Sequence, residues 1–115
     1  ARLGVVGRGS IGAEVARLAA AFGMDVVGVR RDPALGAPPG VSRVWGPDGL
    51  DEMLAVTDAV VIAAPLTAAT DALFDRARIA RMRPGARLVN VARGQLVDTM
   101  ALVDALTSGH LAGAA

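Results

Sequence analysis

Three groups of residues in this 115-residue chain have types and spacings that could do chemistry. The first is Gly7-Arg8-Gly9-Ser10-Ile11-Gly12, a G-x-G-x-x-G stretch directly after the apolar run Leu3-Gly4-Val5-Val6. The second is the pair Arg30-Arg31, and the third is Arg93, set between Val91-Ala92 and Gly94. Each glycine of the first group has a physical purpose if a strand precedes it and a helix follows. Gly7 permits the tight turn, Gly9 lets an anion lie against bare backbone, and Gly12 lets the helix pack closely on its own strand. The free N–H groups and dipole of the first helical turn favour a phosphate there. A glycine motif alone is weak. With an apolar run before it and helix formers at 13–22 after it, it predicts a dinucleotide site rather than a structural turn.

The position about twenty residues past such a turn selects the dinucleotide: an acid bonds a ribose 2′-hydroxyl, an arginine accommodates a 2′-phosphate. Arg30 follows Gly12 by eighteen residues, and a guanidinium fork matches phosphate geometry. NADP(H) is therefore favoured, with NAD(H) as the alternative. Arg30 and Arg31 also fit an ordinary solvated pair, and Asp32 would serve the ribose if its strand ended later. Arg93 is placed to grip a carboxylate through two parallel hydrogen bonds. A salt bridge with Asp98 is equally compatible with its position.

These residues need a scaffold that brings them to one edge. Residues 25–29, 41–45, 58–64 and 86–92 read as further strands, and 111 onward begins another. The patterns at 13–22, 48–56, 67–73, 75–82 and 98–108 read as helices, with Asp98 as an N-cap and Gly23 and Gly109 as C-terminal glycines. Residues 34–40 read as a loop. Strands alternating with helices imply right-handed crossovers and a parallel sheet, an α/β Rossmann-type doubly wound fold in three layers, with strand order 3-2-1-4-5 and the start of a sixth. In such a sheet the ligand lies beyond the carboxyl ends of the strands. The glycine turn, Arg30-Arg31, Ala64-Pro65-Leu66-Thr67 and Arg93-Gly94 all fall there. His110, the single histidine, follows a helix roughly 15 Å long and precedes a strand, so it belongs to the opposite edge, where it complements a helix dipole.

Composition excludes several classes. Hydrophobic residues make up 53% of the chain and mean hydropathy is +0.47, as for a sheet buried on both faces. No apolar run approaches the ~18 residues of a membrane span. Cysteine is absent, which removes disulfide and thiolate chemistry, and one histidine makes a zinc site improbable. A net charge of +1 with 3% aromatic residues gives nucleic-acid binding little support. The expectation is a cytoplasmic protein that engages neither membrane nor nucleic acid. The chain opens at Ala1 and closes on the apolar stretch Leu111-Ala112-Gly113-Ala114-Ala115, which suggests a piece of a longer protein.

The glycine turn, Pro65-Leu66-Thr67, Met82-Arg83-Pro84-Gly85-Ala86, Leu88-Val89-Asn90-Val91-Ala92-Arg93-Gly94, Leu96-Val97-Asp98 and the stretch 102–114 together resemble the D-isomer-specific 2-hydroxyacid dehydrogenases. The resemblance runs through nearly the whole chain, and Asn-x-Ala-Arg-Gly is its most specific part. It implies hydride transfer between a nicotinamide and a small 2-keto or 2-hydroxy acid. By the resemblance, Arg93 binds the substrate carboxylate and polarises the keto group. Thr67 lines the cofactor, and the backbone at Val91-Ala92 forms the nicotinamide pocket. Arg30 and Arg31 resemble the NADPH-preferring glyoxylate/hydroxypyruvate reductases. The family's Glu–His pair and its substrate domain have no counterpart here, so residues 1–115 correspond to most of the cofactor domain alone. Such a piece should not turn over, because carbonyl reduction also needs a proton donor. The longer parent is expected to be a homodimer. The rivals are a non-catalytic dinucleotide sensor, which needs no such pair, and a methyltransferase, against which Arg30 argues.

Overall fold

The computed structural model describes residues 2–7, 10–30, 40–63, 73–91 and 94–115, with only the backbone of Ser10 and Ile11. The strands are β1 (Arg2–Val6), β2 (Asp25–Val29), β3 (Val41–Trp45), β4 (Ala59–Ile62), β5 (Ala86–Asn90) and β6 (Leu111–Ala114). The helices are α1 (Ser10–Ala21), α2 (Leu50–Leu54), α3 (Arg76–Ala80) and α4 (Thr99–Ser108). All strand pairs are parallel, in the order β3-β2-β1-β4-β5-β6. The doubly wound arrangement expected from the sequence is present.

The strands form where apolar residues run almost without interruption, because both faces of the sheet are covered. Val6, Val27, Val29, Val60, Ile62 and Leu88 face α2, α3 and α4 in the larger core, with Met53, Leu54, Phe74 and Ile79. Leu3, Val5, Val26 and Val61 face α1, with Ala16 and Ala19, in the smaller one. Burying one such side chain stabilises the fold by about 1.5–3 kcal/mol. The helices of the larger layer are also tied by charge. Asp51 of α2 meets Arg78 of α3 at 2.9 Å, and Arg76 of α3 meets Asp104 of α4 at 2.8 Å.

The element boundaries depart from the expected ones for identifiable reasons. The helix expected over 48–56 is a 3₁₀ turn, Pro47–Gly49, followed by the short α2, since the chain must first turn under Trp45. Asp75 lies outside α3 as its N-cap, its carboxylate accepting the Arg78 N–H, and α3 closes at Ala80 rather than Met82. The first helix begins at Ser10, three residues early. Asp98 caps α4 through the Ala101 N–H at 3.1 Å, and Gly109 ends it at φ 82°. Most of the helix expected over 67–73 and the loop over 34–40 lie outside the described residues.

The amino edge of the sheet carries a net of charges. The Asp25 carboxylate accepts from the Ser42 hydroxyl at 2.7 Å and from Arg2 Nε at 2.8 Å. Asp58 accepts the Arg2 backbone N–H at 2.8 Å and Arg83 Nη1 at 2.9 Å. The Ser42 and Arg2 hydrogen bonds hold the Asp25 carboxyl below its ordinary pKa, and the Arg2 N–H, with Arg83 beside it, does the same for Asp58. A carboxyl with a lowered folded-state pKa stabilises fully above the unfolded value and loses that contribution as pH falls through the folded one. Thermal melts should therefore be level from pH 7 to about 5 and fall below about pH 4. Asp25→Asn/Asp58→Asn should melt lower at pH 7 and show a shallower acid limb. An unchanged acid limb would mean that other carboxylates govern it.

Candidate functional site

The parallel register assembles the carboxyl edge from the backbone upward. The first residue beyond each of four strands is bonded to the last residue of a neighbouring strand. Arg30 N–H donates to Trp45 O at 3.0 Å, Gly7 to Val29 O at 3.1 Å, Ala63 to Val6 O at 2.8 Å and Val91 to Ile62 O at 3.1 Å. Asn90 N–H donates to Ala115 O at 2.8 Å, extending the rim past β6. Gly7 and Arg30, expected at one edge from chain order, and Val91, implied by the resemblance, thus share a single hydrogen-bonded rim.

Gly7 has φ 102°, a conformation open to glycine and strained for other residues, so the turn off β1 requires it. Helix α1 then starts at the rim, with no acidic residue in its first turn to offset its positive end. Gly12 lies beside the junction of β1 and β4. A Cβ built there would meet Val5 Cγ1 at 3.5 Å and Ala63 Cβ at 3.6 Å, ordinary contact distances. The sequence assigned Gly12 to close packing on its own strand. The packing is there, but it leaves room for a methyl group.

Strand β2 ends at Val29, so Arg30, half-buried, is the first residue beyond it. The condition under which Asp32 would take that place, a longer strand, is not met. Val91 is 43% exposed at the end of β5. The 3₁₀ turn Gly94–Leu96 and Asp98 are tied to Phe74, whose N–H donates to Leu96 O at 2.8 Å and whose carbonyl accepts the Asp98 N–H at 3.0 Å. Arg8, Gly9, Arg31, Ala64, Pro65, Leu66, Thr67, Ala92 and Arg93 lie outside the described residues, as do the side chains of Ser10 and Ile11.

His110 is on the other edge. Its carbonyl accepts the Gly85 N–H at 2.8 Å, beside the amino end of β5. Val91 lies six residues further along that extended strand, roughly 20 Å away. The imidazole Nε2–H donates to Ile79 O at 3.1 Å. The histidine therefore serves the carboxyl end of α3, not that of the helix preceding it in the chain.

Two features near the rim drew no functional reading from the sequence. One is a cavity of about 290 Å³ under α4, in which Asn90 and Thr99 are the polar side chains among Leu88, Val97, Leu102, Ala114 and Ala115. The other is the environment of Trp45 at the end of β3. Its sequence signal, a lone tryptophan two residues after an arginine, is too common to single out.

The scaffold has known counterparts. The family model for the D-isomer specific 2-hydroxyacid dehydrogenase NAD-binding domain matches residues 1–115. The chain belongs to that family. It is 43% identical over 114 residues to a glyoxylate reductase of Thermococcus onnurineus, covering 97% of this chain and 33% of the relative. A D-isomer specific 2-hydroxyacid dehydrogenase from Xanthobacter autotrophicus Py2, solved with NADPH and MES, superposes with TM-score 0.91 and 44% identity, over 98% of this chain and 35% of that one. An NAD-dependent formate dehydrogenase from Staphylococcus aureus, solved with NAD, gives TM-score 0.86 and 39% identity, over 98% and 33%. The chain thus spans about a third of the length of these relatives. It is a nicotinamide-dinucleotide domain of the Rossmann type. No helix among the described residues is long and apolar enough to cross a membrane.

The two glycines separate by experiment. Gly7→Ala should destabilise by about 1–3 kcal/mol, the usual cost of holding a side chain at such a φ. Gly12→Ala should be neutral or stabilising by up to about 1 kcal/mol, since alanine is the better helix former. Urea unfolding measures both, and equal costs at the two positions would contradict this account.

Proposed function

We propose that this domain holds NADP(H) in preference to NAD(H), and that it serves a longer protein interconverting a 2-keto acid and a D-2-hydroxy acid. The observation that carries the reading is the rim itself: the glycine turn, the end of β2 with Arg30 directly beyond it, and the end of β5 are joined by successive backbone hydrogen bonds. The residues fit a dinucleotide. Gly7 makes the turn, the first turn of α1 presents N–H groups without a competing carboxylate, and the first side chain past β2 is a cation.

In this reading Gly7, Arg8, Gly9, Ser10, Ile11 and Gly12 cradle the pyrophosphate, while Arg30 and Arg31 receive the 2′-phosphate. Ala64, Pro65, Leu66 and Thr67, with Val91 and Ala92, line the remainder of the cofactor. Arg93 binds the substrate carboxylate and stabilises charge developing on the keto oxygen. The bound nicotinamide supplies or accepts the hydride. The chain's single histidine sits at the amino edge, bonded to Ile79, so the proton donor comes from elsewhere in the longer protein. Residues 1–115 are then most of the cofactor domain of a cytoplasmic homodimer whose substrate domain lies in other parts of its chain. The relatives' greater length supports this.

Calorimetric titration of the chain should give a dissociation constant for NADPH at least about tenfold below that for NADH, or ~1.4 kcal/mol. Equal constants would remove the phosphate role of Arg30 and Arg31. In the longer protein, Arg93→Ala should lower kcat/KM about 100-fold, or ~3 kcal/mol of transition-state stabilisation, and leave cofactor affinity unchanged. An undiminished rate would return Arg93 to a structural role.

A further inference from the structure

We infer that Trp45, the chain's single tryptophan, is a positioning residue for cofactor selectivity: its locked indole fixes the main chain to which Arg30 is hydrogen-bonded. The inference rests on the phosphate role proposed for Arg30.

Strand β3 is an edge strand, and most of it is poorly buried. Ser42 and Arg43 are exposed, Val41 and Val44 are half-buried, and Trp45 alone is buried, at 8% exposure. The carboxyl end of β3 is therefore held to the protein chiefly through this one side chain. Three contacts fix it, and a fourth joins two of its partners. The indole Nε1–H donates to Glu52 Oε2 at 3.1 Å. Arg43 Cζ lies 4.1 Å from the ring centroid, within cation–π range. Arg43 Nη2 also approaches Glu52 Oε1 at 3.7 Å, closing a triangle around the ring. The backbone of Gly49 fills the remaining side: a Cβ there would come within 2.6 Å of Trp45 Cβ and Cδ1. Trp45 Cβ moves only with its backbone, so any side chain at Gly49 pushes on β3 itself.

That backbone carries Arg30. Trp45 O accepts the Arg30 N–H at 3.0 Å, one step beyond the pairing of Val29 with Trp45. The indole lies in the core on the α2 face. Val27 and Val29 face the same way and Val26 faces α1, so continuing the alternation assigns Arg30 to the α1 side. Trp45 thus acts on Arg30 through the main chain. A bidentate grip on phosphate depends on the origin of the guanidinium arm, and displacements near 1 Å in such positioning cost up to about 100-fold.

The test compares NADPH and NADH dissociation constants for the 115-residue chain and four variants. Arg30→Ala sets the scale by removing the selectivity. Trp45→Phe and Gly49→Ala should lower the preference for NADPH, the ratio of the NADH dissociation constant to that for NADPH, about tenfold, with NADH affinity held within about twofold. Glu52→Ala, on the exposed side of α2, leaves the core intact and should lower the ratio by about threefold, with a red shift of the single tryptophan's emission. It decides the matter if the other two variants do not fold. If NADPH and NADH weaken in parallel, Trp45 is only structural and the inference falls. If Arg30→Ala removes the selectivity while the other variants keep it, this inference falls alone. If Arg30→Ala leaves the ratio unchanged, the phosphate reading falls first.

Discussion

The pairing of β1 with β4 is the constraint on which the rest depends. Successive parallel strands build outward from β1 through β2 to β3, and the chain then returns to the other side of β1 to begin β4. A parallel crossover is right-handed in nearly all proteins, so reversing the direction of building moves the connecting helices to the opposite face. That is what the two cores record: α1 lies on one side, α2, α3 and α4 on the other. Connections that part in this way leave an opening between β1 and β4 at the carboxyl edge. In sheets of this kind the opening is a product of chirality and strand order, and Gly7 and the start of α1 stand at that end of β1.

The two edges of the sheet divide structure from chemistry. The amino edge pairs its charges among themselves: Arg2 with Asp25, Arg83 with Asp58, and the Ser42 hydroxyl on Asp25. His110 belongs to this edge and serves the end of α3. At the carboxyl edge the positive end of α1 is left without an acidic residue, and the residue after β2 is basic. Exposed ion pairs like those of the amino edge contribute little each to stability. On the reading proposed above, the carboxyl edge is the one that meets the anionic cofactor.

The sheet was legible because its physics is local. An apolar run such as Asp25-Val26-Val27-Gly28-Val29 can be buried on both faces only as a central strand, and Gly23 and Gly109 sit at the positive φ that a helix end needs. The candidate rim followed from chain order once the sheet was parallel. What the sequence did not show depends on contacts between distant residues. Pro47–Gly49 became a 3₁₀ turn because Gly49 packs on Trp45. The room for a methyl at Gly12 is set by Val5 and Ala63, from two different strands. His110 found its partner in Ile79, thirty-one residues away, where spacing had pointed to the nearer helix. Trp45 carried no pattern at all.

The order in which this sheet would open also bears on its chemistry. The ladder bonds of β1 and β4 lie between strands paired on both sides, under side chains such as Val60 and Ile62 with no exposure. Strand β3 pairs only with β2 among the described residues, in a register that shifts between Val26 and Val27. Local opening follows the elements with the fewest buried apolar contacts, so the end of β3 is a low-stability site. A net hydrogen bond is worth about 1 kcal/mol, the same order as a tenfold difference between two cofactors. Arg30 is therefore attached to the part of the sheet least able to hold a position by pairing alone. The indole of Trp45, with Glu52, Arg43 and Gly49 around it, compensates at that point. If Arg30 has the phosphate role proposed for it, selectivity and the stability of the edge strand draw on the same few contacts.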